Sequence, residues 1–400
     1  MNREVARVPI SVCHLGKYYP PAPGGIEAHV QTLARAQARL GANVRVLCVN
    51  HANEHHRVSS SVHFVKSHTA HDTDQGVAIT RLGRRAGLGG YDVCPGLVKA
   101  LRQLPDSGVN VLHLHTPNPT MIIALARARV KLPLVITHHS DIIRQKILKK
   151  ALRPFEHAVY KRAKFIWATN PRSLAASDVL NKYSKDVVSF LPLGIELDPF
   201  MNPSPDALAF AAELKQKHGQ PLWLAVGRLV YYKGLHTAIA ALKTAPGKLF
   251  VIGSGPLKEQ LQQQAKDAGV ADRIIWHGYA TNDQLAGAYR AATAFWFPSN
   301  ARSEAFGLVQ VEAMASGCPI INTDIAGSGV PWVSRHNDTG LTVPIEDPAA
   351  LAAAATQLAT DPTLHERFSQ AGPPRAQQEF SDTVMAQRTL DAYAKLIETP

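Results

Sequence analysis

The sequence has no apolar run near the roughly 18 uninterrupted residues that a membrane-spanning helix needs. Its first residues, 1–7, lead into a strand-like run that breaks at Gly16, which is unlike a secretory signal peptide. Apolar residues make up 46% of the chain and charged residues 18%, the balance of a soluble globular protein. We therefore expect a cytoplasmic protein.

Cysteine is scarce, and the sequence has no CxxC pair. The four cysteines lie far apart, at Cys13, Cys48, Cys94 and Cys318. This spacing indicates neither a disulfide framework nor a cysteine zinc site. The dinucleotide fingerprint GxGxxG is also absent, which makes a simple dehydrogenase improbable.

Charge is distributed unevenly along the 400 residues. Through Phe190 there are 27 Lys/Arg and 11 Asp/Glu, a net +16, which leaves 16 and 20 after it, a net −4. The basic residues are not interleaved with aromatic side chains and match no nucleic-acid-binding motif, so we predict no nucleic-acid partner. The length suits two domains of roughly 150–200 residues each.

Short apolar runs alternate with helix-length segments throughout the chain, as in "VPISVCHL" followed by "IEAHVQTLARAQARLG". This pattern predicts an α/β fold with two doubly wound parallel sheets that bind ligand at a cleft faced by strand ends. Four prolines between Leu191 and Leu208 mark the linker, and residues 67–90 are predicted to form a long mobile loop.

In the first domain, Gly24-Gly25 directly precedes a predicted helix, where backbone amides can approach an anion. A tight loop-to-helix turn is the equally plausible structural alternative. His138 and His139 end a predicted strand, and only one of them should enter the cleft. Read as metal ligands they lack a clear third partner, and buried core histidines are common.

In the second domain, Arg228 lies at a strand end and Lys233 at a predicted helix start, where two converging cations suit a diphosphate. Either residue alone is also an ordinary surface charge. Gly253 and Gly255 separate another strand and helix, and a close strand-to-helix turn explains them equally well.

The segment "SEAFGLVQVEAMASGCP", 303–319, combines Glu304 with Glu312 eight residues later. From Gly307 it is predicted to form a buried helix that ends near Gly317. Glu312 inside that helix should have a hydrogen-bonding partner, either a ligand hydroxyl or a neighbouring arginine or amide. Glu304 precedes the helix, whose first amides are free to bind an anion.

Together these features resemble the retaining, nucleotide-sugar-dependent glycosyltransferases of family 4, which have the GT-B fold. The resemblance rests on Gly24-Gly25, Thr137-x-His139, Arg228 with Lys233, Gly253-Gly255 and, above all, Glu304-x7-Glu312 followed by "AMASGCPII". It implies Rossmann-like domains over residues 1–195 and 196–380 and a terminal helix, 381–400, that returns to the first domain.

The resemblance also implies roles for individual residues. Catalytic roles fall to Glu304 beside the donor hexose, to Arg228 and Lys233 at the diphosphate leaving group, and to His139. The donor-binding residues are Gly24, Gly25, His138, Gly253, Gly255, Gly278, Tyr279, Phe306, Gly307, Leu308, Val309 and Glu312. Glu312 would contact the ribose, Gly307 to Val309 the phosphates, and Gly24-Gly25 would close over the diphosphate.

The implied reaction retains configuration and needs no metal or other cofactor, because cations and helix amides stabilise the charge. The sequence Asp72-Thr73-Asp74 imitates a metal-binding motif, but it falls in the predicted mobile loop. The stretch "HHSDIIRQK" looks like that of bacterial mannosyltransferases of polysaccharide assembly. It favours GDP-mannose as donor and a sugar or lipid-linked oligosaccharide as acceptor, with UDP-glucose or UDP-GlcNAc as alternative donors. A sugar-nucleotide epimerase is a further alternative.

The segment 141–164 places basic residues between apolar ones at helical spacing. Its basic residues 144, 146, 149, 150 and 153 could rest on an anionic membrane at the cytoplasmic face of the inner membrane, aided by Arg81, Arg84 and Arg85. An ordinary amphipathic helix with a solvated basic face is the structural alternative.

Overall fold

The computed structural model describes residues 9–51, 67–88, 91–141 and 146–398. The side chains of residues 88 and 146–151 lie outside this description. The chain divides into two compact units, Met1–Gly194 with Asp382–Pro400 and Ile195–Ser381. The divisions predicted from sequence, at 195/196 and 380/381, lie beside these.

The described strands, in chain order, are β1 (Ser11–Leu15), β2 (Asn43–Val49), β3 (Ala70–Asp74), β4 (Val77–Leu82), β5 (Ala86–Leu88), β6 (Tyr91–Val93), β7 (Val111–Thr116), β8 (Leu134–His138), β9 (Phe165–Ala168), β10 (Val188–Phe190), β11 (Leu222–Val226), β12 (Lys248–Ile252), β13 (Ile274–Gly278), β14 (Ala294–Phe297), β15 (Ile320–Thr323) and β16 (Gly340–Val343).

The described α-helices are α1 (Gly25–Arg39), α2 (Leu97–Gln103), α3 (Pro119–Ala128), α4 (Lys146–Lys161), α5 (Pro171–Ala175), α6 (Asp198–Met201), α7 (Pro205–His218), α8 (Leu235–Ala241), α9 (Lys258–Asp267), α10 (Asn282–Ala291), α11 (Leu308–Ala315), α12 (Val330–Val333), α13 (Pro348–Thr360), α14 (Pro362–Phe380) and α15 (Asp382–Glu398). None of them is long and apolar enough to cross a bilayer.

The first unit contains an eight-stranded sheet in the order β10-β9-β8-β7-β1-β2-β4-β3. Every neighbouring pair is parallel except β3 with β4. Adjacent residues of β7 enter separate apolar clusters, Val111 with α1 and α15, and Leu112 with α2 and α3. Because both faces of the sheet are covered, the unit is doubly wound.

The helix α15 packs against α1 within the first unit. Met385, Leu390 and Tyr393 of α15 share an apolar cluster with Val30 and Leu33 of α1. The final helix therefore belongs to the same unit as the N-terminal sheet, although some 190 residues of the second unit precede it in sequence.

The second unit contains a six-stranded parallel sheet in the order β13-β12-β11-β14-β15-β16. Trp223 of β11 faces the cluster formed by α8, α9 and α13. Phe250 of β12 faces the other way, where its ring lies 6.5 Å from that of Phe210 on α7. The predicted α/β class with two Rossmann-like parallel-sheet domains is confirmed.

The prediction of a mobile loop over residues 67–90 is wrong. Residues 70–82 form the hairpin of β3 and β4, and β4 continues the main sheet beside β2. The two-residue turn, Gln75-Gly76, has positive φ at both positions (48° and 86°), as the tight turns that join antiparallel strands require. Both strands of this hairpin lay in the predicted loop. β3 is exposed and polar, and only Val77, Ile79 and Leu82 of β4 are buried, so neither strand has the continuous apolar pattern of the predicted strands.

Candidate functional site

The loop after β11 carries the two predicted phosphate-binding cations. Arg228 is exposed, and its side chain forms no ion pair or hydrogen bond with the rest of the described chain. Lys233 closes a short 3₁₀ turn, Tyr231–Lys233, so the helix α8 begins two residues later than predicted. A cavity lined by Arg228, Lys233 and Phe297 opens at this end of β11, β12 and β14.

Lys233 and Glu304 form an ion pair, with 2.5 Å between Nζ and Oε2. The lysine ammonium also lies 5.1 Å from the centre of the Phe297 ring. Glu304 is nine-tenths buried, and the Ser299 hydroxyl lies 3.5 Å from its Oε2. The predicted leaving-group cation and the predicted sugar-binding carboxylate are therefore direct partners, which the sequence did not indicate.

The first turn of α11 follows Glu304 as predicted. Gly307 precedes the helix with φ 76°, and a Cβ atom there would lie 2.7 Å from the Phe297 ring, so only glycine fits. No side chain caps the helix, which leaves its first amide groups, including those of Leu308 and Val309, without a capping acceptor. The turn is fixed in place by a hydrogen bond from the Ser328 hydroxyl to the Glu304 carbonyl.

Glu312 has a hydrogen-bonding partner, as predicted, but the partner is Tyr289 of α10. The Tyr289 hydroxyl lies 2.9 Å from Glu312 Oε2 and 3.1 Å from the carbonyl oxygen of Val309. Burial raises the pKa of Glu312 to about 7, against the opposing influence of the Tyr289 hydrogen bond and the Lys233 charge. The sequence does not single out Tyr289, because an aromatic residue on an amphipathic helix resembles any core residue.

The predicted glycines of the β12 loop have a structural function. A Cβ atom at Gly253 would lie 1.9 Å from the carbonyl oxygen of Gly227, and one at Gly255 would lie 2.4 Å from that of Leu229. Backbone hydrogen bonds join the same loops, from Gly227 to Ile252 and from Leu229 to Ser254, both at 2.9 Å. The close-turn alternative therefore accounts for both glycines.

The remaining predicted donor-binding residues of this unit differ in exposure. Gly278 ends β13 with φ 84°, and Tyr279 after it is 86% exposed. Phe306 is buried, with its ring 5.7 Å from that of Phe380 and 6.3 Å from that of Trp332. The Phe306 side chain is thus part of an aromatic core cluster, and only its backbone borders the α11 turn.

In the first unit, Gly24 and Gly25 begin α1, as predicted from the sequence. Gly24 is the residue before the helix, and its carbonyl oxygen accepts a hydrogen bond from the Ala28 amide at 3.0 Å. Glu27 places its carboxylate over this turn, within 2.0 Å of the position that a Cβ atom of Gly24 would occupy. This helix start therefore already has a carboxyl group next to it, and burial raises the pKa of that carboxyl.

The two adjacent histidines after β8 have different surroundings. His138 uses both ring nitrogens within the protein, at 2.8 Å from the Tyr160 hydroxyl and 2.9 Å from Asp141 Oδ1. His139 points to the opposite side, where its Nε2 lies 3.5 Å from Nδ1 of His115. Of the two, His139 is the one with a ring that is not fully engaged by close hydrogen bonds.

A cluster of buried histidines that was not predicted from the sequence surrounds His139. Its members are His14 on β1, His29 on α1, His113 and His115 on β7, and His139 itself. Each is at most 9% exposed, and burial lowers the pKa of each, to about 4 for His14 and about 3 for His29. The alternating pattern "HLH" in a buried strand was the available signal.

The Asp72-Thr73-Asp74 sequence lies in the hairpin strand β3. Asp74 accepts hydrogen bonds from Tyr19, Gln31 and Arg35, with an Arg35 nitrogen at 2.6 Å, and Asp72 lies 3.7 Å from Arg81. Both carboxylates thus pair with arginines.

Two family models match the chain consecutively. "Glycosyl transferase 4-like domain" matches residues 24–194, and "Glycosyl transferases group 1" matches residues 208–375. The chain belongs to the group 1 glycosyltransferase family. It is therefore a glycosyltransferase, and the Glu304-x7-Glu312 segment, Arg228 and Lys233 lie within the second matched region.

Two bacterial glycosyltransferases are similar to the chain over most of its length. The chain is 27% identical to O-antigen chain mannosyltransferase C of Escherichia coli over 97% of its own length and 98% of that protein. It is 31% identical to D-rhamnosyltransferase WbpZ of Pseudomonas aeruginosa over 71% of its length and 72% of that protein.

Solved structures share the fold of this glycosyltransferase. HepE of Anabaena, in complex with UDP, matches with a TM-score of 0.75 and 18% identity over 96% of this chain and all of that one. Sucrose-phosphate synthase of Thermosynechococcus elongatus matches with a TM-score of 0.74 and 23% identity over 98% of this chain and all of that one. These matches confirm the GT-B fold predicted from the sequence.

Proposed function

We propose that this glycosyltransferase transfers mannose from GDP-mannose, with retention of configuration, to a lipid-linked or polysaccharide precursor. The observation that carries the proposal is the grouping of Lys233, Glu304 and the first turn of α11 at the strand ends of the second unit. The choice of mannose rests on the similarity to the E. coli mannosyltransferase along nearly the whole chain.

Each group of this site has a proposed task. Lys233 and exposed Arg228 neutralise the diphosphate, and the first amides of α11 bind its oxygens. Glu304 accepts hydrogen bonds from hexose hydroxyls, and Glu312 from the ribose. The acceptor hydroxyl attacks the anomeric carbon on the face of the leaving group, and a donor phosphate oxygen takes its proton. Charge stabilisation by these groups makes a catalytic metal ion unnecessary.

The ion pair between Lys233 and Glu304 bears on how the donor binds. The two charges satisfy each other at 2.5 Å inside a largely buried region. An arriving diphosphate competes with Glu304 for Lys233, which releases the carboxylate toward the sugar. Gly24, Gly25, His138 and His139 lie in the first unit, and their assignment to the reaction rests on the family resemblance alone.

A panel of nucleotide sugars tests the donor. GDP-mannose, UDP-glucose, UDP-GlcNAc and GDP are compared by thermal stabilisation of the whole chain and by slow donor hydrolysis. A ligand that binds only the folded protein at 100 times its Kd stabilises it by about 2.7 kcal/mol, a shift that is readily measured. A response to GDP and, among the nucleotide sugars, to GDP-mannose alone supports the proposal. Preference for UDP-glucose or UDP-GlcNAc would make that compound the donor instead of GDP-mannose. Conversion of one sugar nucleotide into another without an acceptor would indicate the epimerase.

We also propose peripheral binding to an anionic membrane through α4. Of the segment that suggested it, residues 142–145 lie outside the described residues. In the described part, Arg153 is exposed, while Leu152, Val159 and Tyr160 are buried in the core, as in an ordinary amphipathic helix. Arg84 makes no contribution to such a surface, since it is 3% exposed and pairs with Asp92 at 2.9 Å.

Sedimentation with vesicles of anionic lipid tests this association. Each basic residue near such a surface contributes about 1 kcal/mol, so replacing Lys146, Lys149, Lys150 and Arg153 with glutamine should abolish binding while donor hydrolysis persists. Replacing Lys243, an exposed lysine of the second unit, serves as the control. Equal vesicle binding by the quadruple variant and the parent would reject the proposal.

A further inference from the structure

The histidine cluster contains a chain of hydrogen bonds whose proton positions can be deduced. The Thr389 hydroxyl donates to the Ala386 carbonyl at 2.7 Å, so its oxygen must accept from Gln37 Nε2, also at 2.7 Å. Gln37 therefore presents Oε1 to His14, whose Nε2 lies 2.7 Å away and must be the donor. A neutral imidazole carries one N–H, so His14 Nδ1 is an acceptor.

The proton positions on the next ring, His115, follow in the same way. His115 Nε2 lies 3.0 Å from His14 Nδ1 and is the donor in that contact. His115 is neutral because burial and neighbouring histidines hold its pKa well below the usual range. Its Nδ1 therefore carries no proton and presents a lone pair. This lone pair faces Nε2 of His139 at a distance of 3.5 Å.

His29 completes the surroundings of this lone pair. It is 2% exposed, and neither ring nitrogen has a hydrogen-bonding partner among the described residues. Its ring centre lies 4.8 Å from that of His139 and 5.4 Å from that of His115. Two buried, unpaired nitrogens are energetically unfavourable, and such a group in a folded protein calls for an explanation.

We propose that His29, His115 and His139 form a binding site for a divalent transition-metal ion of the zinc class. One nitrogen from each ring lies within 4.8 Å of the others. Tetrahedral zinc, with bonds of 2.0–2.1 Å, separates its ligand nitrogens by about 3.4 Å, so modest side-chain rotations complete the site. His14 Nδ1 accepts the hydrogen bond from the remote nitrogen of His115, the kind of contact that orients a metal-ligating imidazole.

The neighbouring group of His14, His113 and His115 is less suited to a metal. His113 is occupied on both sides, with Nδ1 2.6 Å from the Tyr393 hydroxyl and Nε2 2.7 Å from that of Thr137. His14 is committed to Gln37 and His115 in the chain described above. The site of His29, His115 and His139 instead leaves a fourth tetrahedral position for water or another ligand.

The site has a consequence for the reaction. His139 is among the residues assigned to the transfer, so an ion bound by its Nε2 would withdraw that ring from the reaction. Metal binding here is therefore inhibitory rather than catalytic. This consequence depends on the proposed function, but the binding itself does not.

The test titrates the untagged full chain, freed of metal with chelator, with ZnCl₂ by calorimetry and with Co²⁺ by visible absorption. The parent protein should bind one zinc ion and show the intense absorption bands of tetrahedral Co²⁺. His29→Leu should weaken zinc binding at least ten-fold and abolish those bands. His71→Gln, which replaces an exposed histidine of β3, should bind like the parent.

Thermal unfolding without metal shows that the variants are folded. Since leucine removes two unpaired buried nitrogens, His29→Leu should unfold at or above the parent temperature, and His29→Gln provides a second variant with a polar side chain. Zinc should raise the unfolding temperature of the parent but of neither His29 variant. Absence of zinc binding by the parent, or equal binding by parent and both His29 variants, would overturn the proposal and leave a buried water as the partner of His29.

Discussion

The carboxyl ends of the parallel strands carry opposite chemistry in the two units. In the first unit, five buried imidazoles with lowered pKa values occupy the ends of β1, β7 and β8 and the adjoining helix, so they are uncharged near neutral pH. In the second unit, the corresponding strand ends carry an exposed arginine, a partly buried lysine–glutamate pair and a helix start. The strand ends of the first unit thus carry neutral nitrogen atoms, and those of the second unit carry fixed charges.

The difference separates two tasks that a sugar transferase must perform. A diphosphate leaving group is a concentrated negative charge, and fixed cations with helix amides stabilise it without reorganisation. An uncharged imidazole can donate or accept a hydrogen bond to a sugar hydroxyl without adding charge beside it. The following experiments alter one side of this comparison at a time.

Glu304→Ala should have the largest effect, a loss of roughly 10²–10³ in turnover, because it removes a contact to the reacting sugar. The same change frees Lys233, so the affinity for GDP should hold or rise slightly. Steady-state kinetics and GDP calorimetry on the same preparation measure the two quantities. Full activity in a folded variant would remove Glu304 from the site.

Lys233→Ala should weaken GDP binding by roughly 10- to 100-fold, the range expected for a lost hydrogen bond to a charged group. Part of this loss arises because Glu304, left unpaired, repels the diphosphate. The double variant Lys233→Ala/Glu304→Gln should therefore bind GDP better than Lys233→Ala alone.

Arg228→Ala supplies a matched comparison. Its side chain is exposed and unpaired among the described residues, so the variant should lose GDP affinity with no change in unfolding temperature. Lys243→Ala, an exposed lysine between α8 and β12 at the opposite sheet edge, should change neither. Unchanged GDP affinity in both Arg228→Ala and Lys233→Ala would refute the phosphate assignment.

Glu312→Gln should stabilise the protein by about 3 kcal/mol at pH 8 and by almost nothing at pH 3. The ordinary carboxyl pKa is 4.5 and that of folded Glu312 is about 7, so between these values only the unfolded chain is ionised. Folding stability is therefore lost as the pH rises from 4.5 to 7, and the loss is constant above pH 7. Chemical unfolding at both pH values measures the difference.

Tyr289→Phe tests how the hydrogen bond to Glu312 contributes to stability while the carboxylate itself stays in place. It removes the hydroxyl that Glu312 contacts at 2.9 Å, so it should destabilise the protein at pH 8, opposite to Glu312→Gln. If the change in stability caused by each variant were the same at both pH values, the raised pKa of Glu312 would be contradicted.

The sequence predicted the elements better than the contacts between them. β11 and β14 were recognisable because buried parallel strands are almost continuously apolar. β3 was not, because its outward residues are polar and its turn depends on positive φ at Gln75 and Gly76. Local pattern therefore located strands only where burial imposed a composition.

The site shows the same limit. Lys233 and Glu304 were both identified, but their pairing depends on where β11 and β14 end in the folded sheet. His139 was found, whereas His14 and His115, 101 residues apart, meet only because β1 lies beside β7. A third imidazole for a metal ion thus exists in the fold although the sequence shows no spacing that predicts it.

The smallest expected effect is that of a chelator, which should leave turnover unchanged or slightly higher. In the proposed mechanism, Arg228, Lys233 and the α11 amides stabilise the charge on the leaving group, so removing divalent ions should take nothing from the second unit. In the first unit, chelator would release any ion held by His29, His115 and His139 and so free His139. Activity is followed before and after excess chelator, and then after Mg²⁺, Mn²⁺ or Zn²⁺ is restored. Loss of activity that Mg²⁺ or Mn²⁺ recovers would place a metal ion in the transfer step. Inhibition by Zn²⁺ that His29→Leu relieves would instead assign the histidine cluster of the first unit to regulation and the charged strand ends of the second unit to catalysis.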